Sequence, residues 1–273
     1  MKIKDLSGQI FKKQSYLCIG LDTDLKKIPN HLLKDEDPIF SFNKSIIDST
    51  NSLCIAYKLN TAFYESNGTK GWHSMEKTIN YINQNFPEIF TIADAKRGDI
   101  GNTSRMYATT FLENLNFDSV TVNPYMGSDS VKPFLQTKNK YCILLGLTSN
   151  EGAEDIQLKN TMSNSVYIEM IKSSLNWGDK NNMMYVIGAT KANYIEKIRS
   201  LIPNHFILIP GVGAQGGDLN LISKLAMNKN VGIIVNSSRS IIYASNDKDF
   251  AQSAFNEAQK LQNQMSKILN SKF

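Results

Sequence analysis

The chain's hydrophobic pattern switches repeatedly between two periods. Short apolar runs rich in β-branched residues alternate with stretches whose apolar side chains recur every three or four positions, the marks of strand and helix. Strand-like runs fall at 16–21, 54–59, 90–93, 119–123, 141–147, 184–188, 206–209 and 231–235. Between them the spacing predicts helices around 39–52, 166–175, 194–201 and 219–227. Further helices are expected where Trp72, Met75, Ile79 and Ile82 share a side, where Met106, Thr110, Phe111 and Leu115 do, and around Val131, Phe134 and Leu135. Ile3, Leu6, Ile10 and Phe11 form a short amphipathic helix ahead of the first strand. Such alternation fits an open doubly wound sheet or a closed barrel, and eight units of this length favour the barrel. The expected fold is therefore α/β, a single (β/α)8 TIM barrel, in one domain of residues 1–273 with no linker or low-complexity break. The segment 149–180 is longer than a βα unit needs and is expected to include a loop over the site.

One strand departs from the general pattern. Residues 90–104 read FTIADAKRGDIGNTS. The apolar opening is followed at once by Asp94, Lys96 and Asp99. Strand side chains alternate between faces, so Asp94 and Lys96 are expected on the same side. Gly98 is expected to supply the turn that ends the strand. A surface salt bridge is the plainer reading of these charges. Their place at the end of a buried-type strand favours a functional site.

Composition narrows the classes. Apolar residues make up 41% of the chain and charged ones 20%, enough core for a folded barrel and too little charge for disorder. The net charge of +5 arises from dispersed basic residues with no stripe of interleaved aromatics, which argues against nucleic acid as a partner. Cys18, Cys54 and Cys142 each sit in an apolar run, as buried thiols of a reducing compartment do. His31, His73 and His205 are too scattered for a metal site, so no metal and no cofactor are expected. With neither a signal-peptide pattern nor an apolar run of membrane length, the expected location is cytoplasmic.

In a barrel the chemistry collects at the C-terminal ends of the strands. Those ends carry Asp22, Lys58, Asp94 with Lys96, Asn123, Ser149, Gln215 and Arg239. After the seventh strand comes PGVGAQGGD, whose glycines let backbone N–H groups approach an anion closely. After the eighth comes Asn236-Ser237-Ser238-Arg239, and a guanidinium there suits a phosphate. The alternative is a flexible loop and a surface arginine; their place after the last two strands favours a phosphate site. A phosphorylated ligand held there would present its reactive part to Lys58, Asp94 and Lys96. Neighbouring carboxylates keep a lysine protonated. Lys96 is thus better suited to donate a proton to a carbanion than to form a Schiff base, as an aldolase lysine would.

At this point the residues resemble a family. Asp-Ala-Lys-Arg-Gly-Asp-Ile-Gly-Asn-Thr, with Ala-Phe-Tyr-Glu after the second strand, is similar to the signature of the orotidine 5′-phosphate decarboxylases, in the wording of the bacterial-type (type 2) subfamily. The resemblance runs from Leu21-Asp22 through Lys58 and PGVGAQ to Arg239. It implies cofactor-free decarboxylation of orotidine 5′-monophosphate to UMP. By resemblance, Lys96 protonates C6, Asp94 lies against the substrate carboxylate, and Lys58 with Asp94 holds Lys96 in a charge network. Asp22 contacts the ribose, Ser149 the pyrimidine, and Gln215 with Arg239 the phosphate. Asp99 and Thr103 reach into a neighbouring subunit's site, which makes a homodimer the expected partner arrangement. A magnesium-dependent 3-keto-gulonate phosphate-type decarboxylase shares the Asp-x-Lys-x-x-Asp stretch, but it would carry a metal-ligating acid in place of Lys58. A catalytically silent phosphosugar-binding barrel is the other alternative.

Overall fold

The computed structural model describes residues 3–211 and 217–273. Its parallel strands are β1 (Leu17–Gly20), β2 (Ala56–Asn60), β3 (Phe90–Arg97), β4 (Ser119–Val122), β5 (Tyr141–Leu147), β6 (Met183–Ile187), β7 (Ile207–Pro210) and β8 (Ile233–Ser237). Each pairs with the next in sequence order, and β8 returns to β1 with Leu17 opposite Val235, which closes the expected barrel. Strands covered on both faces need near-continuous apolar sequence, and β1, β4, β6 and β8 are buried at every position.

The helices are α1 (Ile3–Lys13), α2 (Pro38–Thr50), α3 (Thr61–Glu65), α4 (Gly68–Asn85), α5 (Gly101–Ala108), α6 (Ser128–Leu135), α7 (Val166–Ser174), α8 (Ala192–Leu201), α9 (Leu219–Ala226), α10 (Arg239–Ile242) and α11 (Phe250–Lys272). Their buried faces follow the predicted spacing in α4, where Met75, Ile79 and Ile82 are fully buried. Two expectations are corrected. Phe11 of α1 is partly exposed, its ring resting edge-on against Phe273, while Leu6 and Ile10 carry the packing. Met106 of α5 points outward, while the π-helical turn that follows at Thr109–Asn114 buries Phe111, as expected, together with Leu112.

The eighth strand begins two residues later than the sequence pattern suggests. Val231 and Gly232 both have positive φ (66° and 65°) and form a turn on Asn228, whose N–H and C=O both bond Val231. That displacement brings Asn236 and Ser237 into the strand. The largest omission is α11. It buries Phe250, Ala254, Ala258, Met265 and Leu269, at most one side chain per turn and two of them alanine, so its apolar stripe is too thin to stand out. α11 packs on α2, where Phe42 and Phe250 stack with centroids 5.2 Å apart.

Beneath the barrel, Arg199 of α8 is buried, and its hydrogen-bond partners among the described residues are carbonyls. It donates to Ala226 O (2.7 Å), Ile202 O (3.0 Å), His205 O (2.7 Å) and Gly232 O (2.8 Å), tying together the approaches to β7 and β8. Cys18, Cys54 and Cys142 are free and buried. Among the described residues no helix is long and apolar enough to cross a membrane.

His205 is buried against the edge of Tyr185, and neither ring nitrogen has a hydrogen-bond partner. Burial, reinforced by the Arg199 charge, pushes its pKa down from 6.5 to about 4. The unfolded chain therefore takes up a proton that the folded chain refuses. This stabilisation is complete above pH 6.5 and is lost as the pH falls towards 4. His205→Phe is expected to flatten that acid limb of the stability curve by up to about 3 kcal/mol, read from urea unfolding at pH 7 and pH 4.5. An unchanged pH slope in the variant would refute the assignment.

Candidate active site

The C-terminal ends of the strands surround a cavity of about 390 Å³. Strand register delivers the charges to it. Gly20 of β1 lies beside Lys58 of β2, and Asn60 of β2 lies beside Asp94 of β3, so residues from three successive strands converge. The Lys58 Nζ sits 3.1 Å from Asp22 Oδ1 and 3.1 Å from Asp94 Oδ2. Asp94 Oδ1 in turn accepts from Lys96 Nζ at 2.6 Å. The result is a line of alternating charge, Asp22, Lys58, Asp94, Lys96.

Burial and charge oppose each other along this line. The Lys58 side chain is only 5% exposed. Burial works against its charge, but Asp22 and Asp94 outweigh that cost and raise its pKa above the ordinary lysine value. For Asp94 burial favours the neutral acid, yet Lys58 and Lys96 prevail and hold its carboxyl at about 2. Both groups are thus fixed as ions at neutral pH. Lys96 at the far end of the line has a side chain 49% exposed, the open terminus of the network.

Lys96 does not reach Asp94 by simple strand alternation. The β3–β4 register shifts between Ala93 and Arg97, and Lys96 has φ of 48°, in the left-handed region. A β-bulge of this kind re-aims a side chain at some backbone cost. Thr121 of β4 holds the bulge. Its buried hydroxyl accepts from the Lys96 N–H (2.9 Å) and donates to Asp94 Oδ1 (3.0 Å). Gly98 likewise differs from expectation. It lacks positive φ, and a Cβ there would lie 3.0 Å from the Asn123 carbonyl oxygen, so close approach rather than turn geometry favours glycine.

The remaining charges of the stretch are structural or lie elsewhere. Arg97 bonds the Glu65 carboxylate, donates to Ala95 O (3.0 Å) and lies over the rings of Tyr107 and Phe111. The Ala-Phe-Tyr-Glu run thereby divides into parts: Phe63 lines the cavity, Tyr64 bonds Leu21 O (2.9 Å), and Glu65 braces Arg97. Asp99 accepts from the Ile100 N–H (2.7 Å), and Thr103 sits in the first turn of α5; neither lines this chain's cavity. Asn123 does not line it either and caps the turn after β4, accepting from Tyr125 N (3.0 Å).

Of the other predicted residues, Asp22, Ser149 and Arg239 all line the cavity. Thr148 does not; its N–H and hydroxyl are both engaged by Gln157 (2.9 and 2.7 Å). Gln215 and most of the glycine-rich loop lie outside the described residues, and Gly211 marks the rim where that loop begins. Sequence reasoning missed Thr121, whose inward position on β4 was the available signal, and Lys27, for which the polar first loop offered none. It also missed an apolar wall of Leu145, Val186 and Leu208 from β5, β6 and β7, facing the charged wall of β1–β3.

A barrel with this line of charge at one side and an arginine after the last strand invites comparison with known proteins. The sequence profile of the orotidine 5′-phosphate decarboxylase / HUMPS family matches residues 15–254. The chain belongs to this family. It is 58% identical over 273 residues to the orotidine 5′-phosphate decarboxylase of Flavobacterium johnsoniae, covering 100% of both chains. To that of Christiangramia forsetii it is 57% identical over 269 residues, covering 98% and 99%. The structure of Leishmania donovani OMP decarboxylase superposes with a TM-score of 0.80 at 30% identity, over 96% of this chain and 100% of that one.

Removing the central cation tests the electrostatics independently of catalysis. In Lys58→Met the Asp94 carboxyl loses one of its two ammonium partners while remaining buried. Its pKa is expected to rise by at least about 1 unit, read by NMR titration of the carboxyl carbon. A value unchanged near 2 would show that Lys96 alone sets it.

Proposed function

We propose that this chain decarboxylates orotidine 5′-monophosphate to UMP and CO2, the last step of de novo pyrimidine synthesis, with Lys96 as the proton donor. The alternating line ending on the open Lys96 ammonium is the observation that carries the reading. In the reaction the bond from C6 to the carboxylate breaks, its electron pair stays on C6, and CO2 departs. A Lys96 proton then moves onto C6 and leaves a neutral amine. Asp94 lies against the substrate carboxylate, and the repulsion between the two anions is relieved as CO2 leaves. Lys58 and Asp94 hold Lys96 in place before the reaction begins, so little reorganisation is needed as charge develops.

The same reading gives the binding roles to residues from separate strand ends. Asp22 contacts the ribose, Ser149 the pyrimidine, and Arg239 with Gln215 the phosphate. Binding the phosphate away from the reacting carbon supplies energy that can be used at the transition state. The reading needs no cofactor and no metal, because the Lys58 and Lys96 ammonium groups together balance Asp22 and Asp94 and would repel a divalent cation from them. Residues 1–273 act as one domain, and the buried free thiols suit a reducing cytoplasm.

Asp99 and Thr103 serve the site of a second copy in a homodimer. Their absence from their own cavity supports this, as does the exposure of Ile100, Met106, Tyr125 and Met126 on neighbouring elements (59%, 58%, 80% and 48%). Exposed apolar groups of that size mark association surfaces.

Purified protein is expected to consume orotidine 5′-monophosphate, followed by its absorbance, with chelator present. Lys96→Ala should lower kcat by at least about a hundredfold, the usual worth of a positioned acid, while circular dichroism stays unchanged. Substantial turnover in the variant would sink the proton-donor role. For the dimer, Lys96→Ala and Asp99→Ala chains are each expected to be inactive alone. Mixed, they should recover activity, because one hybrid site then holds both residues; no recovery after confirmed subunit exchange would place Asp99 in its own subunit's site.

A further inference from the structure

Tyr243 lies outside the cavity lining but touches both ends of the site. It follows α10, the short helix that begins with Arg239, and its N–H donates to the Arg239 carbonyl at 3.2 Å. Its hydroxyl crosses to the loop after β1. There it donates to the Asp22 carbonyl (2.9 Å) and accepts from the Asp24 N–H (2.7 Å). The ring is held flat on Phe42 with centroids 5.9 Å apart, and Phe42 is itself fully buried against Phe250. On its other contact the Lys27 ammonium stands 5.7 Å from the ring centroid. Tyr243 is therefore a stiff connection with both hydrogen-bonding functions of its hydroxyl used.

The neighbouring backbone is equally tight. A Cβ on Gly20 at the end of β1 would lie 1.8 Å from the Ser238 hydroxyl, so the Ser238 side chain, just past β8, already fills the space beside β1. Arg239 and Asp22 thus belong to segments that follow paired strands and that the Tyr243 side chain and backbone link a second time. The Asp22 carboxylate is the first member of the charge line through Lys58 at 3.1 Å.

We propose that Tyr243 is a positioning residue that holds Asp22, and through it Lys58, in register with the Arg239 turn. The inference rests on the functional reading above. A ligand anion drawn to Arg239 settles the turn that Tyr243 caps, and the hydroxyl carries that placement to the Asp22 loop. Without the hydroxyl the Asp24 N–H loses its partner, and the Asp22 carbonyl loses its donor. The Asp22 carboxylate then samples positions that no longer balance Lys58. Nucleotide binding weakens less than turnover, because Arg239 and Ser149 keep their places in the cavity and only the Asp22 contact is loosened.

Tyr243→Phe tests this, since it keeps the stacked ring and removes only the hydroxyl. Thermal unfolding is followed in parallel to confirm the fold. The expected result is a fall in kcat of about tenfold, within the scale of the two hydrogen bonds lost. The dissociation constant for UMP should rise by less than about threefold, well short of the fall in kcat, because only the Asp22 contact is loosened. In an Asp22→Asn background, itself impaired, the same substitution should change kcat by less than about twofold, because Tyr243 acts only through Asp22. A wild-type kcat in Tyr243→Phe overturns the proposal, and so does an equal loss in both backgrounds, which would mark a general structural role. Full activity of Asp22→Asn alone would instead remove the functional reading of Asp22 and the inference with it.

Discussion

The structure depends on one buried cation. Taking an ammonium out of water costs several kcal/mol even after relaxation, so Lys58 is tolerable only between two carboxylates at hydrogen-bonding distance. The converse also holds, since Asp94 is buried enough to favour its neutral form and stays ionised because of the lysines beside it. None of the three could be removed without leaving an uncompensated charge. That mutual requirement fixes the ends of β1, β2 and β3 against each other and leaves Lys96 as the terminus where the network meets the cavity.

Around this line the barrel separates its tasks. β1 to β3 supply the charges, β5 to β7 an apolar wall, and the turn after β8 a guanidinium. Such a wall excludes water and lowers the local dielectric, which strengthens interactions among the fixed charges. Stability is handled at the opposite end, where Arg199 gathers four carbonyls beneath β7 and β8. A barrel can vary its chemistry at one face because the other face holds it together.

The left-handed backbone at Lys96 shows what this arrangement requires locally. A lysine gains nothing from positive φ, and the conformation persists because Thr121 secures both the Lys96 N–H and the Asp94 carboxylate that receives its side chain. A regular strand would also have placed Asp94 and Lys96 on one face. The bulge instead sets the ammonium 2.6 Å from one carboxylate oxygen and leaves the other for Lys58.

The sequence by itself determined the barrel, the order of its strands and the charged residues at their ends, since these rest on local periodicity and on the rule that barrel chemistry sits after the strands. Asp22, Lys58, Asp94, Lys96, Ser149 and Arg239 were legible in that way. Other features depended on partners distant in sequence. The α11 stripe is too thin to announce itself and has meaning only against α2. The start of β8 moved because Val231 and Gly232 turn on Asn228. Thr121 and Tyr243 are an ordinary strand threonine and an ordinary helix-end tyrosine until the fold sets one beside Lys96 and the other between Asp22 and Arg239. Periodicity reports which face a residue takes; only tertiary structure decides which atoms it meets there, because a hydrogen bond is settled by tenths of an ångström.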